Sequence, residues 1–402
     1  MSKSTTKPKR ILLMHRYYWP DKSSCSSIIK HLCSHFSSEG HKLDVITSQP
    51  SYRQDPKNNM RPKIETIDGV KITRLTLPSE TGTFFLRIIN SFKLSILLLK
   101  KAMFDKYDII LVTSIPPILG GFFGAISSKL TGTDLIYFCM DIHPEMGILS
   151  RDNSNPFLYR ILSKIDIWSC SQARIILVHS EDMKRSLLKR KNKKKLNIDI
   201  INNFSISFQK IKYSSQFSKN NLTLVYAGNL GRFQSLEKII DVMALIKKYK
   251  NIKLIMIGDG TERNNLIEKA KKVKANISFI DHLSEEGAQN LIRKADLGLV
   301  PLMENVFKYA YPSKTMSYLE QGKPILAIIE KNSQLSLEIM KFGYGFSIEQ
   351  NDTKKLTNLL IKLSKDHSWK KPMNIRALKA FQKKFSSNIV LKQWSDTIKR
   401  IS

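Results

Sequence analysis

The sequence has few cysteines: four in 402 residues, none in a C-x-x-C pair and none at zinc-ligand spacing from a histidine. A disulfide-stapled module is therefore excluded, no structural metal is expected, and a reduced intracellular compartment fits best. The first apolar run, residues 11–14, is shorter than the roughly 7–15 residues of a signal-peptide core, so no secretory leader is expected.

Long hydrophobic runs are also scarce. Residues 109–128 carry no charge and reach the ~20 residues of a membrane span. However, Pro116, Pro117, Gly120 and Gly121 stand in the middle of this stretch, where they favour a strand, a turn and a helix. The sequence therefore predicts a buried strand followed by a helix at this place.

Acidic residues are under-represented, with 34 Asp and Glu against 66 Lys and Arg, which gives a net charge of +32. Such a charge attracts nucleic acid or an anionic membrane surface, or it reflects a Lys- and Asn-rich composition. The densest basic run, residues 189–195, contains no aromatic residue and is interpreted as a solvated turn. No nucleic-acid partner is expected, although a basic nucleic-acid-binding protein stays open as an alternative.

Short apolar runs alternate with helical stretches along almost the whole chain. The predicted strands are residues 11–14, 43–47, 70–75, 109–112, 135–140, 175–178, 222–226, 253–257, 277–280, 297–300, 325–328 and 345–348. Strands this apolar, separated by helices, indicate parallel sheets covered on both faces.

The alternation lapses once, in a polar segment at residues 205–221, which predicts a linker between two domains. The expected fold class is α/β, with two doubly wound Rossmann-like domains facing a central cleft. The N-terminal domain is predicted at 1–208, with 385–402 packing back on it, and the C-terminal domain at 209–384. Ligands of such sheets bind beyond the carboxyl ends of the strands, often at helix N-termini.

No G-x-G-x-x-G follows the first strand and no P-loop motif occurs, which argues against dinucleotide oxidoreductases and P-loop enzymes. Instead, strand 222–226 runs into a turn with Gly228 and Gly231, whose backbone amides could approach a phosphate. Arg232 adds a cation to this turn. The next strand ends in the turn Gly258-Asp259-Gly260.

A third element begins at Pro312, which suits the first turn of a helix. Ser313 offers a hydroxyl and an amide at this helix start, and Lys314 adds charge there. Glu320 follows about two turns later. The arrangement could hold a diphosphate at the helix start and a diol at the carboxylate.

The order of a G-x-x-G turn, a G-D-G turn and an E-x7-E-like helix followed by G-x-P-I-L-A resembles the donor domain of glycosyltransferase family 4. Members of this family have the GT-B fold and use nucleotide sugars. Segments 17–21, 39–47, 50–52, 113–117 and 141–145 resemble its N-terminal half, and the last two are similar to the branch that assembles O-antigen and capsule.

The resemblance implies a retaining, metal-independent glycosyltransferase that moves a sugar from a nucleotide sugar, most often a UDP-sugar, to a saccharide. A lipid-linked acceptor and a place in cell-surface polysaccharide synthesis follow from the same branch, as does a cytoplasmic location, peripheral on the inner face of the membrane. The N-terminal domain would bind the acceptor and the C-terminal domain the donor. The site residues assigned to the donor are Gly228, Asn229, Gly231, Arg232, Gly258, Gly260, Ser313, Lys314 and Glu320, with Ser23 and Ser24 in an N-terminal loop near the diphosphate.

On the acceptor side, Asp141, His143 and Glu145 follow the strand 135–140 at its carboxyl end. Asp141 or Glu145 would orient an acceptor hydroxyl and His143 would shuttle its proton. A buried polar turn around Pro144 is the alternative interpretation.

The sequence departs from the family pattern at several site positions. The first Glu of E-x7-E falls on Pro312, the usual Arg and Lys of the first donor turn fall on Asn229 and Gln234, and two N-terminal glycines are Ser23 and Ser24. A nucleotide-sugar epimerase of similar fold and an inactive relative are the remaining alternatives.

Residues 84–106 form a basic amphipathic pattern. One stripe at helical spacing is apolar and basic residues lie elsewhere: Ile89, Phe92, Ile96, Leu99 and Met103 against Arg87, Lys93, Lys100 and Lys101. Such a helix predicts contact with an anionic bilayer; a core helix with ordinary surface lysines is the alternative.

Overall fold

The structure is a computed structural model that describes residues 7–21, 23–51, 60–78, 84–149, 155–190, 195–205 and 221–401. The chain divides into two compact units. Unit 1 comprises Met1–Asn202 and Val390–Ser402, and unit 2 comprises Asn203–Ile389. Most of the predicted linker, residues 206–220, lies outside the described residues.

Unit 1 is built on an eight-stranded sheet in the order β3-β4-β2-β1-β5-β6-β7-β8, parallel except for the antiparallel pair β3 and β4. Its strands are β1 (Arg10–Met14), β2 (Lys42–Ser48), β3 (Ile64–Ile67), β4 (Val70–Leu75), β5 (Ile109–Thr113), β6 (Asp134–Phe138), β7 (Ile175–Val178) and β8 (Ile198–Ile200). Unit 2 has a six-stranded parallel sheet in the order β11-β10-β9-β12-β13-β14. Its strands are β9 (Leu222–Ala227), β10 (Ile252–Ile257), β11 (Ile277–Ile280), β12 (Leu297–Pro301), β13 (Ile325–Ile328) and β14 (Gly345–Ile348).

Helices connect these strands in both units. They are α1 (Ser24–Ser38), α2 (Phe84–Phe104), α3 (Leu119–Thr131), α4 (Glu145–Leu149), α5 (Pro156–Gln172), α6 (Glu181–Leu188), α7 (Leu236–Leu245), α8 (Arg263–Val273), α9 (Glu285–Lys294), α10 (Lys314–Glu320), α11 (Gln334–Phe342), α12 (Thr353–Lys365), α13 (Lys370–Lys384) and α14 (Ser387–Ile401). The predicted α/β class is confirmed, because helices form most of the crossovers between parallel strands in both sheets.

The central strands are buried along their whole length, as expected for parallel sheets covered on both faces. The uncharged stretch 109–128 forms β5, a turn and the first part of α3, as its prolines and glycines predict. Within the described residues, no helix is both long enough and apolar enough to cross a membrane. Near the C-terminus, α13 ends and α14 begins around the buried Phe385.

Candidate active site

Two glycine turns follow the neighbouring strands β9 and β10 and pack directly against each other. A Cβ on Gly258, whose φ is +130°, would lie 2.2 Å from the carbonyl oxygen of Gly228. A Cβ on Gly260 would lie 2.4 Å from the carbonyl oxygen of Leu230. Only residues without a side chain permit this approach of two backbones, which explains the glycine spacing in both motifs.

The amides of the first turn already have internal acceptors. The N–H groups of Gly228, Leu230 and Gly231 donate to the Ile257 carbonyl, the Asp259 carbonyl and the Gln234 Oε1 atom at 2.9, 2.9 and 3.2 Å. A phosphate would therefore compete with these internal acceptors for the three amides. Binding of a phosphate at this turn would depend more on the side-chain cations nearby.

The start of α10 lies over the first turn. A Cβ on Gly228 would be 2.7 Å from the Cε of Lys314, and the Lys314 Nζ lies 4.9 Å from the centre of the Tyr226 ring. The amide of Ala227 donates to the Tyr318 hydroxyl at 2.8 Å, which fixes α10 against the end of β9. Desolvation lowers the pKa of Lys314 to about 8. The structure thus brings the first and third sequence motifs together around one desolvated ammonium group.

The other predicted donor contacts differ in their surroundings. Arg232 is 63% exposed, and its Nε atom lies 3.2 Å from the Glu262 Oε1 atom. Asn229 and Ser313 are exposed at the same edge of the unit 2 sheet. Arg232 is therefore an exposed cation paired with one carboxylate at this edge of the sheet.

Glu320, at the end of α10, has no exposed surface, and its Oε2 atom accepts a hydrogen bond from the Ser205 hydroxyl at 2.6 Å. Ser205 was not among the predicted site residues. It is the first residue of the predicted linker, residues 205–221, where no spacing or periodicity singles it out.

On unit 1, Asp141 follows β6, and its backbone is fixed by a neighbouring strand. The Ser114 hydroxyl oxygen accepts hydrogen bonds from the amides of Met140 and Asp141 at 3.0 and 3.1 Å. Desolvation raises the pKa of the Asp141 carboxyl to about 6. A carboxylate that titrates near neutrality at the end of a central strand is a candidate for general-base work.

His143 and Glu145 sit in different surroundings from Asp141. Desolvation lowers the pKa of His143 to about 4, so its imidazole is neutral at pH 7. Glu145 is bound through both carboxylate oxygens by Arg190, with Nη2–Oε2 at 2.5 Å and Nε–Oε1 at 3.0 Å. Arg190 belongs to the basic run interpreted as a solvated turn. That interpretation is wrong for Arg190, whose side chain is 7% exposed; residues 191–194 lie outside the described residues.

Ser23 and Ser24, the predicted residues of the N-terminal loop, lie at the N-terminus of α1. The Ser23 hydroxyl accepts the amide hydrogen of Ser26 at 3.2 Å, as a helix N-cap does. Ser24 is the first residue of α1, and its side chain lies outside the described residues. Their placement near a diphosphate stays a prediction.

Two buried histidines at the same edge of the unit 1 sheet were missed by the sequence analysis. His15 follows β1 and pairs with the Thr113 hydroxyl at 2.8 Å, and His179 follows β7 and pairs with the Ile201 carbonyl at 3.0 Å. Burial lowers their pKa values to about 3 and about 4, respectively. Their signal was a polar residue directly after a fully apolar strand, the same signal that identified Asp141.

Comparison with known proteins identifies the chemistry. Residues 207–379 match the family model "Glycosyl transferases group 1". The chain is a glycosyltransferase with a group 1 domain. It is 26% identical over 291 residues to the probable glycosyltransferase WbjE of Pseudomonas aeruginosa, covering 68% of this chain and 70% of that protein.

Solved structures match the glycosyltransferase over nearly its full length. Sucrose-phosphate synthase from Thermosynechococcus elongatus superposes with a TM-score of 0.78 at 13% identity, covering 98% of this chain and 99% of the other. Anabaena HepE, solved in complex with UDP, gives a TM-score of 0.69 at 14% identity, covering 97% and 99%. The predicted GT-B fold and the predicted enzyme class are confirmed.

Proposed function

We propose that this glycosyltransferase moves a sugar from a UDP-sugar to a saccharide acceptor, with retention of anomeric configuration, in the synthesis of cell-surface polysaccharide. The observation that carries the proposal is the convergence of both glycine turns with Lys314 at one edge of the unit 2 sheet. The UDP bound to HepE supports the choice of nucleotide. The motifs shared with the family 4 branch described above support the polysaccharide assignment.

Departure of the nucleoside diphosphate is the step that needs charge stabilisation. Negative charge develops on the leaving diphosphate, and cations placed in advance around it lower the barrier without reorganisation. Lys314 contributes a desolvated ammonium beside the turn, and Arg232 contributes a guanidinium that exchanges Glu262 for phosphate. With three amides of the turn already used, these two cations supply most of the proposed stabilisation.

Glu320 is proposed to accept hydrogen bonds from the ribose hydroxyls. A carboxylate has about four acceptor positions, and the Ser205 hydroxyl occupies one of them. Full burial makes that contact strong when made, because water does not compete for the oxygens.

On the acceptor side, Asp141 and His143 are proposed to orient an acceptor hydroxyl and take its proton. At pH 7 the Asp141 carboxyl, with a pKa of about 6, is mostly ionised. The His143 imidazole, with a pKa of about 4, is neutral, so both groups are in the state that accepts a proton.

The acceptor is proposed to be lipid-linked and reached by peripheral contact with an anionic membrane through three adjacent helices. On α2, α3 and α5 the aromatic rings form a continuous run with centroid separations of 5.4 to 5.7 Å: Phe92, Phe123, Phe122 and Trp168. The two ends of α2 expose Phe85 by 70% and Phe104 by 85%.

The charge on these helices favours an anionic partner. The described sequence of α2, α3 and α5 contains one acidic residue, Asp166, and it is buried. Lys93, Lys100, Arg160 and Lys164 are exposed on the same helices. An aromatic surface bordered by cations and free of exposed acids suits the headgroup region of an anionic bilayer.

Thermal shift against nucleoside diphosphates and nucleotide sugars tests the donor proposal. We expect UDP to raise the melting temperature of the protein, and Glu320→Ala to reduce that rise while Glu349→Ala, at an exposed position, leaves it unchanged. An equal rise in Glu320→Ala would contradict the ribose role. No response of the folded protein to any nucleotide would contradict the donor proposal itself.

Vesicle flotation tests the membrane proposal. We expect binding to vesicles with 30% phosphatidylglycerol at low salt, and much weaker binding in 0.5 M salt because exposed charges are then screened (Debye length about 4 Å). Phe85→Glu should abolish flotation, whereas Met340→Glu, at a residue 61% exposed on unit 2, should not. Absence of binding at low salt would overturn the proposal.

A further inference from the structure

Arg190 makes an unusual set of contacts for a residue in a basic surface run. Its Nε and Nη2 atoms grip the two oxygens of Glu145, and Nη2 also donates to the His143 carbonyl at 2.7 Å. Its Nη1 atom donates to the Asp166 Oδ2 atom at 2.5 Å. One guanidinium thus binds both ends of segment 143–145 and one residue of α5.

The far side of this cluster is anchored in the core of unit 1. Asp166 is 1% exposed and accepts a hydrogen bond from the Tyr137 hydroxyl at 2.9 Å, and Tyr137 belongs to the central strand β6. Arg190 therefore connects the segment after β6 to both α5 and β6. Because the cluster is nearly dry, these bonds exchange slowly with water and hold their geometry.

We infer that Arg190 is a positioning residue: through Glu145 and the His143 backbone it holds segment 143–145, which follows β6 on the proposed acceptor side, in place. The inference rests on the proposed function, which assigns Asp141 and His143 to the acceptor. It also changes the role of Glu145. With both oxygens bound by Arg190, Glu145 anchors the segment and does not transfer protons.

The fork of the guanidinium is what this role requires. Arg presents coplanar N–H groups that match a carboxylate in two parallel bonds, whereas the Lys ammonium is a point donor. Arg190→Lys keeps the charge that Glu145 and Asp166 need and removes only the fork. This variant separates geometry from charge, and Arg185→Lys, five residues earlier on α6 at a side chain 55% exposed, is its matched control.

The first test is hydrogen exchange of the segment 141–149 and needs no substrate. We expect the amides of this segment to exchange about tenfold faster in Arg190→Lys, since a lost charge-assisted bond allows local opening. Arg185→Lys should match the wild type. Unchanged exchange in a folded Arg190→Lys protein would overturn the inference. If that variant does not fold, Glu145→Gln, which removes one partner charge only, is measured in the same way.

The second test is release of UDP from UDP-glucose. In Arg190→Lys we expect kcat to fall about 10- to 100-fold with KM for UDP-glucose within about twofold, because misplacement of about 1 Å costs up to 100-fold in rate. Glu145→Gln should have the same effect, and the double variant should be no worse than either single one. Additive losses, or a loss that follows only the melting temperature, would overturn the inference.

The two tests distinguish a failure of the proposed donor from a failure of the inference about Arg190. A wild-type protein that does not act on UDP-glucose counts against the proposed donor. The exchange comparison still decides on Arg190 in that case, since it depends on neither donor nor acceptor.

Discussion

Replacement of Asp141 by Asn should make the protein more stable and less active at neutral pH. Desolvation raises the pKa of this carboxyl from 3.8 to about 6 in the folded protein. A carboxyl whose pKa is higher in the folded than in the unfolded state destabilises the fold wherever it is ionised. The penalty is therefore nearly full above about pH 7, falls as the pH drops through 6, and disappears below the unfolded pKa of 3.8.

The size of the effect follows from the shift. Each pKa unit corresponds to about 1.4 kcal/mol, so a shift of about two units gives an upper value of about 3 kcal/mol. Solvent screening and the cost of burying an amide reduce this, so we expect a gain of about 1–3 kcal/mol in the free energy of unfolding at pH 7.5. The loss of activity is expected to be about 100-fold or more, as for removal of a general base.

Urea unfolding at pH 7.5 and pH 4.5 measures the prediction. Asp141→Asn should be more stable than the wild type at pH 7.5, and the difference should shrink to about a third at pH 4.5, where the native carboxyl is protonated but the unfolded one is still mostly ionised. Asp396→Asn, at an exposed position on α14, should stay within about 0.5 kcal/mol of the wild type at both pH values. A less stable Asp141→Asn protein at pH 7.5, or a difference that does not change with pH, would refute the reasoning.

Two further predictions concern unit 2. Because the Lys314 pKa is lowered to about 8, binding of UDP should be accompanied by proton uptake between pH 8 and 9, and the affinity for UDP should weaken above pH 8. Calorimetry in buffers of different ionisation enthalpy measures the affinity and the proton uptake. Lys314→Met should abolish the proton uptake. Gly260→Ala should destabilise unit 2 by about 1–3 kcal/mol, because its Cβ would lie 2.4 Å from the Leu230 carbonyl oxygen. Gly147→Ala, where no atom lies within 4 Å of the added Cβ, is the control, and equal unfolding free energies for the two variants would contradict the steric argument.

The sequence predicted the central strands well because burial on both faces demands continuous apolar runs, and these are visible without an alignment. The two edge strands of unit 1 were missed for the opposite reason. β3 alternates between exposed and half-buried residues, and β8 is only three residues long, so neither produces an apolar run.

In the candidate site, too, some residues could be predicted from local sequence signals and others could not. Glycine spacing, a helix start and polar residues after apolar strands are local signals, and they located Gly228, Lys314 and Asp141. Arg190 and Ser205 gave no such signal, because their partners Glu145 and Glu320 are 45 and 115 residues away in the sequence. Contacts over such distances are set by the sheet order, which composition and periodicity do not reveal.

The surroundings of Lys314 also bear on how a turn with so few available amides could serve a diphosphate. An ammonium with a pKa of about 8 is already costly to keep charged in its site, and desolvation of this half-buried side chain is the cause. An anion arriving at that site offsets the same cost, so the protein regains on binding what it lost in desolvating the lysine. As charge on a leaving diphosphate grows, the attraction grows with it in a medium where water does not screen it. Desolvation of one lysine therefore strengthens its interaction with the departing group more than its interaction with the less charged ground state, and that difference is what accelerates a reaction.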